Sequence, residues 1–183
     1  MIKVGISGKI AAGKSQVESL IAELGYKVFD LDKISHSLFE DEKVQKLLLN
    51  EFKTLDRKEI GKIVFSNQEK KENLEKIIYP ELKNIIFDIF GQNKNEQMIF
   101  ISGALLFKSG FYKFFDKTIF VEASDEIRLE RLMKRNGLGI DEARSRLNLQ
   151  DDNKLANYTI ENNSDIKSLK EKTLELIKKI ANQ

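Results

Sequence analysis

The 183-residue chain has no cysteine and no tryptophan, a single proline and a single histidine. Without cysteine there can be no disulfide framework and no thiolate metal site, which fits a reducing, cytoplasmic setting. No apolar run approaches the roughly 20 residues of a membrane-spanning helix. The amino terminus also lacks the charged-then-apolar layout of a secretory signal, so no membrane role is expected. Charge of one sign is scarce too: 31 Lys and Arg face 29 Asp and Glu, a formal +2, too weak a field to argue for nucleic acid. What remains is an ordinary globular composition, 41% hydrophobic and 33% charged, of a length that suits one domain. Nothing in it calls for an obligate protein partner.

Arginine is the scarce residue whose placement is informative. Besides Arg57, the chain has only Arg128, Arg131, Arg135, Arg144 and Arg146, grouped in one short stretch of an otherwise lysine-using sequence. A guanidinium is a planar, bidentate donor, suited to gripping phosphate or carboxylate.

Periodicity supplies the architecture. Ile2 to Ser7 reads as a buried strand entering a glycine-rich turn. Ser15 to Leu24 carries Val17, Leu20, Ile21 and Leu24 on one helical face and stops at Gly25. "YKVFD" is a second strand and "KISHSLF" opens another helix, so the chain begins with the βαβ signature of a parallel sheet. Lys43 to Phe90 is helical and lysine-rich, with Pro80 inside it. "QMIFIS" and "KTIFVEA" are the third and fourth strands. Asp125 to Gln150 is an arginine-bearing helical hairpin pivoting on "NGLG", "NYTIEN" a short last strand, and Ile166 to Ile180 a closing amphipathic helix. The expected fold class is α/β, a five-stranded parallel sheet flanked by helices.

Gly8-Lys-Ile-Ala-Ala-Gly13-Lys14-Ser15 satisfies G-x-x-x-x-G-K-[ST] between a strand and a helix, the context a phosphate loop requires. Gly8 and Gly13 are expected to take dihedrals that a side chain would hinder, letting backbone N–H groups turn on an anion. The helix that starts near Lys14 adds its positive N-terminal dipole. Lys14 can bridge the β- and γ-phosphates and the Ser15 hydroxyl can ligate Mg²⁺. The loop implies a P-loop NTPase fold. "DIFG" (Asp88–Gly91) and "NKNE" (Asn93–Glu96) imitate GTPase motifs but stand nearly adjacent and before the strand they should follow, which favours ATP over GTP.

Asp30 and Asp32 fall at the carboxyl end of the second strand, the edge where open α/β sheets bind ligands. Asp32 has two readings: a general base for a hydroxyl acceptor, or the cap of the helix that follows. His36 lies one turn into that helix. Arg128, Arg131 and Arg135 share a helical face at i, i+3, i+7, with Arg144 and Arg146 on the return helix. They either pair with Asp125, Glu126, Glu130, Asp141 and Glu142, or form a lid that closes over a transferring phosphoryl group; the clustering favours the lid.

With these residues placed, the whole chain resembles the dephospho-CoA kinase family. "SGKIAAGKS", "DLDKISH", "DRKEIGKIVF", "YP", "ALLF", "RLMKR…EARSRLNLQ" and "YTIEN" follow the order of the family's motifs from residue 2 to about 163. The resemblance implies a single P-loop kinase domain, with core sheet about 1–40, 95–124 and 155–183. It adds a helical acceptor-side section at about 41–92 and a lid at about 125–150. It implies ATP and Mg²⁺ as cofactors and dephospho-CoA as the small-molecule substrate, phosphorylated on its ribose 3′-hydroxyl; another small hydroxyl compound or nucleoside monophosphate is the alternative. By the same resemblance, Gly8, Ala11, Ala12, Gly13, Lys14, Ser15 and Gln16 form the nucleotide loop, with Ser15 on the metal. Asp32 is the base, Arg131, Arg135 and Arg146 the lid arginines, and His36, Leu105, Leu106 and Phe107 line the acceptor. The chain departs from the family pattern at Lys9, Ala11, Ala12, Gln16, Tyr79, Ala104, Lys108, Asn157 and Glu161. Alanine at position 11 is expected to imply an unstrained turn.

Overall fold

The computed structural model describes residues 1–147 and 155–182. The chain divides into two compact units, Met1–Phe29 with Asn95–Gln183, and Asp30–Lys94.

The first unit is built around central strands whose residues are mostly buried on both faces. β1 (Ile2–Gly8) and β3 (Met98–Ser102) are almost wholly apolar and inaccessible, the pattern of interior parallel strands rather than of alternating, half-solvated ones. β2 (Lys27–Asp30), β4 (Lys117–Glu122) and β5 (Tyr158–Glu161) complete a five-stranded sheet in the order β2-β3-β1-β4-β5. β1 runs parallel to β3 and β4, and β4 runs parallel to β5. The first strand is therefore central, as the expected architecture requires.

Helix α1 (Lys14–Glu23) follows β1 and sends Val17, Leu20 and Ile21 into the core with Val4, Ile6, Met98, Phe100 and Val121. From the carboxyl end of the chain, Leu169, Ile177 and Ile180 join the same core. They belong to the closing helix, Ile166–Ala181, whose first turn is capped by Asp165. Between them run two helices joined at Gly137-Leu138-Gly139: Asp125–Asn136 and Ile140–Leu147. Gly137 ends the first in the left-handed conformation, as the "NGLG" pivot requires. The last part of the lid motif, Asn148 to Gln150, lies outside the described residues.

The second unit is all helical. After Leu31–Ser37 (α2) come α3 (Glu42–Phe52), α4 (Arg57–Ser66) and the 25-residue α5 (Gln68–Gln92), which carries Pro80 in its interior. Asp30, Asp41, Asp56 and Asn67 cap the four helices in turn, each accepting backbone N–H groups of the first turn. Lys70 and Asn73 both bond the Glu51 carboxylate, at 2.8 and 2.9 Å, tying α5 to α3. "DIFG" lies within α5, which removes the apparent GTPase motif. With the two helices of the arginine-bearing hairpin numbered α6 and α7 and the closing helix α8, the described residues form five strands and eight α-helices.

Candidate functional site

The strand order reverses at β1: the chain passes to β2 and β3 on one side, then to β4 and β5 on the other. The crevice beyond the carboxyl end of such a strand is where open α/β folds bind ligands, and here it is occupied by the loop Lys9–Gly13. Lys9 N–H donates to Val121 O at 3.0 Å and Ala12 N–H to Lys9 O at 3.0 Å, closing a tight turn.

The two loop glycines are needed for different reasons. Gly13 is left-handed, with φ 96°, and a Cβ there would come within 2.2 Å of Asn162 Nδ2. Gly8 is the last residue of β1 and has no positive φ; the expectation of a hindered dihedral there is corrected. A Cβ at Gly8 would stand 2.6 Å from the backbone oxygen of Val121, so β4 demands the bare residue by proximity. Gly8→Ala should therefore force β1 from β4 and cost about 1–3 kcal/mol, as overpacked interiors do. Urea unfolding of the variant checks this; an unchanged midpoint would refute the steric account.

Ala11 also departs from expectation. Its φ is 60°, so the turn is strained at that residue, not relaxed. It occupies the third position of the Lys9–Ala12 turn, where a positive φ ordinarily selects glycine or asparagine.

Helix α1 begins at Gly13 without any side-chain cap and with no acidic residue in its first turn. Six other helices, α2 to α6 and α8, begin with a capping Asp, Asn or Ser. The start of α1 and its dipole are thus left open to an anion. Lys14, mostly buried, donates to Glu18 Oε1 at 2.8 Å and lies 3.5 Å from Ser102 Oγ at the end of β3. In the same first turn Ser15 and Gln16 are both exposed.

The arginines separate into distinct roles. Arg128, only 3% exposed, points into the protein: its Nε donates to Ile10 O at 3.1 Å and its Nη1 to Asp125 at 3.1 Å. Arg131 Nη1 reaches Ala12 O at 3.4 Å. Arg135 is exposed and bonds Asn136 Oδ1, and Arg146 is exposed in an i, i+4 ion pair with Glu142 at 2.9 Å. Arg144 is also exposed, on α7. Asn162, which the sequence reading does not single out, is buried and donates to Ala12 O at 2.8 Å. Its place at the end of "YTIEN" is the signal available for it.

In the second unit the helix cap is Asp30, whose carboxylate accepts from the N–H groups of Asp32 and Lys33. The capping reading of Asp32 is therefore corrected: Asp32 lies one residue inside α2, half-buried, while His36 is exposed near its end. Burial and the neighbouring Glu75 push the Tyr79 phenol well above its usual range, so it remains protonated.

The "ALLF" segment also divides. Leu106 and Phe107 are buried, Phe107 stacking on Tyr112 and meeting Phe120 edge-on. Leu105, 51% exposed, instead presents its side chain to solvent, in the same stretch as exposed Lys108.

A glycine-rich loop after the first strand, an open helix start carrying a lysine, and a helical hairpin beside it are the parts of a P-loop kinase. The family model for dephospho-CoA kinase matches residues 2–168. A dephospho-CoA kinase from Fusobacterium nucleatum is 35% identical, over 91% of this chain and 92% of its own length. The solved dephospho-CoA kinase of Campylobacter jejuni superposes with a TM-score of 0.73 at 28% identity, covering 98% of this chain and 97% of that one. A crystal structure of a Thermus thermophilus protein gives 0.83 at 29% identity, with 96% and 95% covered. From its phosphate loop to the start of its last helix, the chain belongs to the dephospho-CoA kinase family.

Proposed function

We propose that the protein transfers the γ-phosphoryl group of ATP to the ribose 3′-hydroxyl of dephospho-CoA, yielding CoA and ADP, the last step of coenzyme A synthesis. The observation that carries the reading is Lys14 at the uncapped start of α1, in a chain that matches the family over residues 2–168. The whole chain acts as one kinase domain in this reading, in a cytoplasmic setting.

Each group has a task in the step. Lys14 leaves Glu18 for the β- and γ-phosphate oxygens and offsets the charge that builds as the phosphorus–oxygen bond to ADP breaks. Asp32 accepts the proton of the 3′-hydroxyl as its oxygen bonds to phosphorus. Arg131, Arg135 and Arg146 bring positive charge from the lid, and Arg146 must release Glu142 to do so. His36 and Leu105 meet the acceptor, while Leu106 and Phe107 act behind them by packing.

Among the described residues no group of three or more His, Asp or Glu is arranged to hold a metal. The chain offers the Ser15 hydroxyl at the start of α1. One neutral oxygen donor suits Mg²⁺, which keeps waters and takes substrate phosphates as its other ligands. Mg²⁺ bound there would supply charge neutralisation between the phosphates.

Mass spectrometry of dephospho-CoA incubated with the protein and Mg-ATP tests the assignment. A product heavier by one phosphoryl group, with its phosphorus NMR signal at the 3′ position, is expected. ADP release with other acceptors, but not with dephospho-CoA, would overturn the substrate assignment.

A further inference from the structure

The strained residue of the phosphate loop stands between two backbone carbonyls, and distant side chains hold both. Ile10 O accepts from Arg128 Nε at 3.1 Å. Ala12 O accepts from Asn162 Nδ2 at 2.8 Å and from Arg131 Nη1 at 3.4 Å. Between them Ala11 sits at φ 60°. For an L-residue with a Cβ, the relaxed backbone is favoured over this left-handed one by roughly 5- to 30-fold. Something must hold the turn where it is.

Arg128 is poorly suited to any other task visible in the fold. Its guanidinium is 3% exposed, so it cannot sweep over a ligand as a surface lid residue would. Its Nη2 is buried and has no partner among the described residues. Its ionic partner, Asp125, is largely exposed and is not what draws it inward. A buried guanidinium with one orphaned nitrogen is costly, and the contact that takes it across the fold is the loop carbonyl.

We propose that Arg128 is a positioning residue which, together with Asn162, clamps the Ile10 and Ala12 carbonyls on either side of Ala11 and keeps the strained loop in its ligand-ready form before nucleotide arrives. The loop then binds without first climbing out of a relaxed conformation. The proposal rests on the loop being the nucleotide site, and it makes alanine at position 11 and arginine at position 128 a coupled pair.

A double-mutant cycle between Ala11→Gly and Arg128→Met isolates that coupling. Glycine takes the left-handed conformation freely, so it should need no clamp. Urea unfolding without ligand is the first arm. In the parent chain, Ala11→Gly should shift the equilibrium toward the folded state by about 5-fold or more. In Arg128→Met, where alanine has already relaxed, the gain should be much smaller. ATP binding by calorimetry is the second arm. Arg128→Met should weaken ATP by about 5-fold or more beside the native alanine, and by less than about 2-fold in the Ala11→Gly background. In steady-state assays the effect of Arg128→Met beside the native alanine should fall mainly in the KM for ATP. Arg128→Lys, which keeps the charge and a donor, should recover part of the loss and replaces methionine should that variant fail to fold. Equal effects in both backgrounds would overturn the clamp. Absence of ATP binding by the parent chain would instead refute the nucleotide reading, and the unfolding arm would still decide the coupling.

Discussion

Lys14→Ala should lower turnover by ~100-fold or more, the loss of about 3 kcal/mol of transition-state stabilisation that follows removal of a charged donor facing developing phosphate charge. The structure adds a second contribution. Glu18 is Lys14's partner at 2.8 Å and is itself mostly buried. Removing the ammonium leaves that carboxylate uncompensated where phosphates must sit, so part of the loss would be repulsion and not missing attraction. Lys14→Ala combined with Glu18→Gln should therefore lose less than Lys14→Ala alone, and the recovery should fall in the KM for ATP. Steady-state assays on Lys14→Ala, Glu18→Gln and the double variant decide it. Activity within a few-fold of the parent in Lys14→Ala would show that this loop is not the catalytic phosphate site.

In Asp32→Asn, turnover should fall by ~10² to 10⁴ while stability scarcely changes. The helix cap below it is Asp30, whose bonds to the Asp32 and Lys33 N–H groups do not involve the Asp32 side chain. The negative charge that Asp32→Asn removes from the first turn of α2 is worth under about 1 kcal/mol. Asp30→Ala gives the opposite signature, a loss of about 1 kcal/mol from the cap. Asp30→Asn should be mild in both respects, since asparagine caps about as well as aspartate. Melting and steady-state measurements on the set separate base from cap. Near-normal turnover in Asp32→Asn would remove it from the chemistry and leave the acceptor proton without an assigned base.

Most of the architecture is legible without coordinates, because it is written in local patterns. The apolar runs at 98–102 and 117–122 have no polar alternation, and such segments are stable only as strands covered on both faces. The 3.6-residue spacing of Val17, Leu20 and Ile21 can bury one side of a helix and nothing else. Gly137 and the glycine-rich turn after β1 punctuate these runs. The phosphate loop, its lysine and the arginine-bearing hairpin follow from the same one-dimensional reading, as does the family.

What only the tertiary structure decided is which of these residues face a partner far along the chain. Arg128 and Ile10 are 118 residues apart, and Asn162 and Ala12 are 150 apart. Helical spacing puts Arg128 on a face with Arg131 and Arg135 but is silent on which member of that face turns inward. The demand on Gly8 comes from β4, the strain at Ala11 from the closure of the loop, and the burial of Leu106 and Phe107 from packing within the first unit. The cap passes from Asp32 to Asp30 because α2 starts at Leu31, a shift that periodicity does not register. Periodicity and turn chemistry act between neighbours in sequence, so the chain alone determines its elements and its loop. Close approach, desolvation and hydrogen bonding between remote groups exist only once those elements have packed, and they set which side chains serve the loop and which only the core.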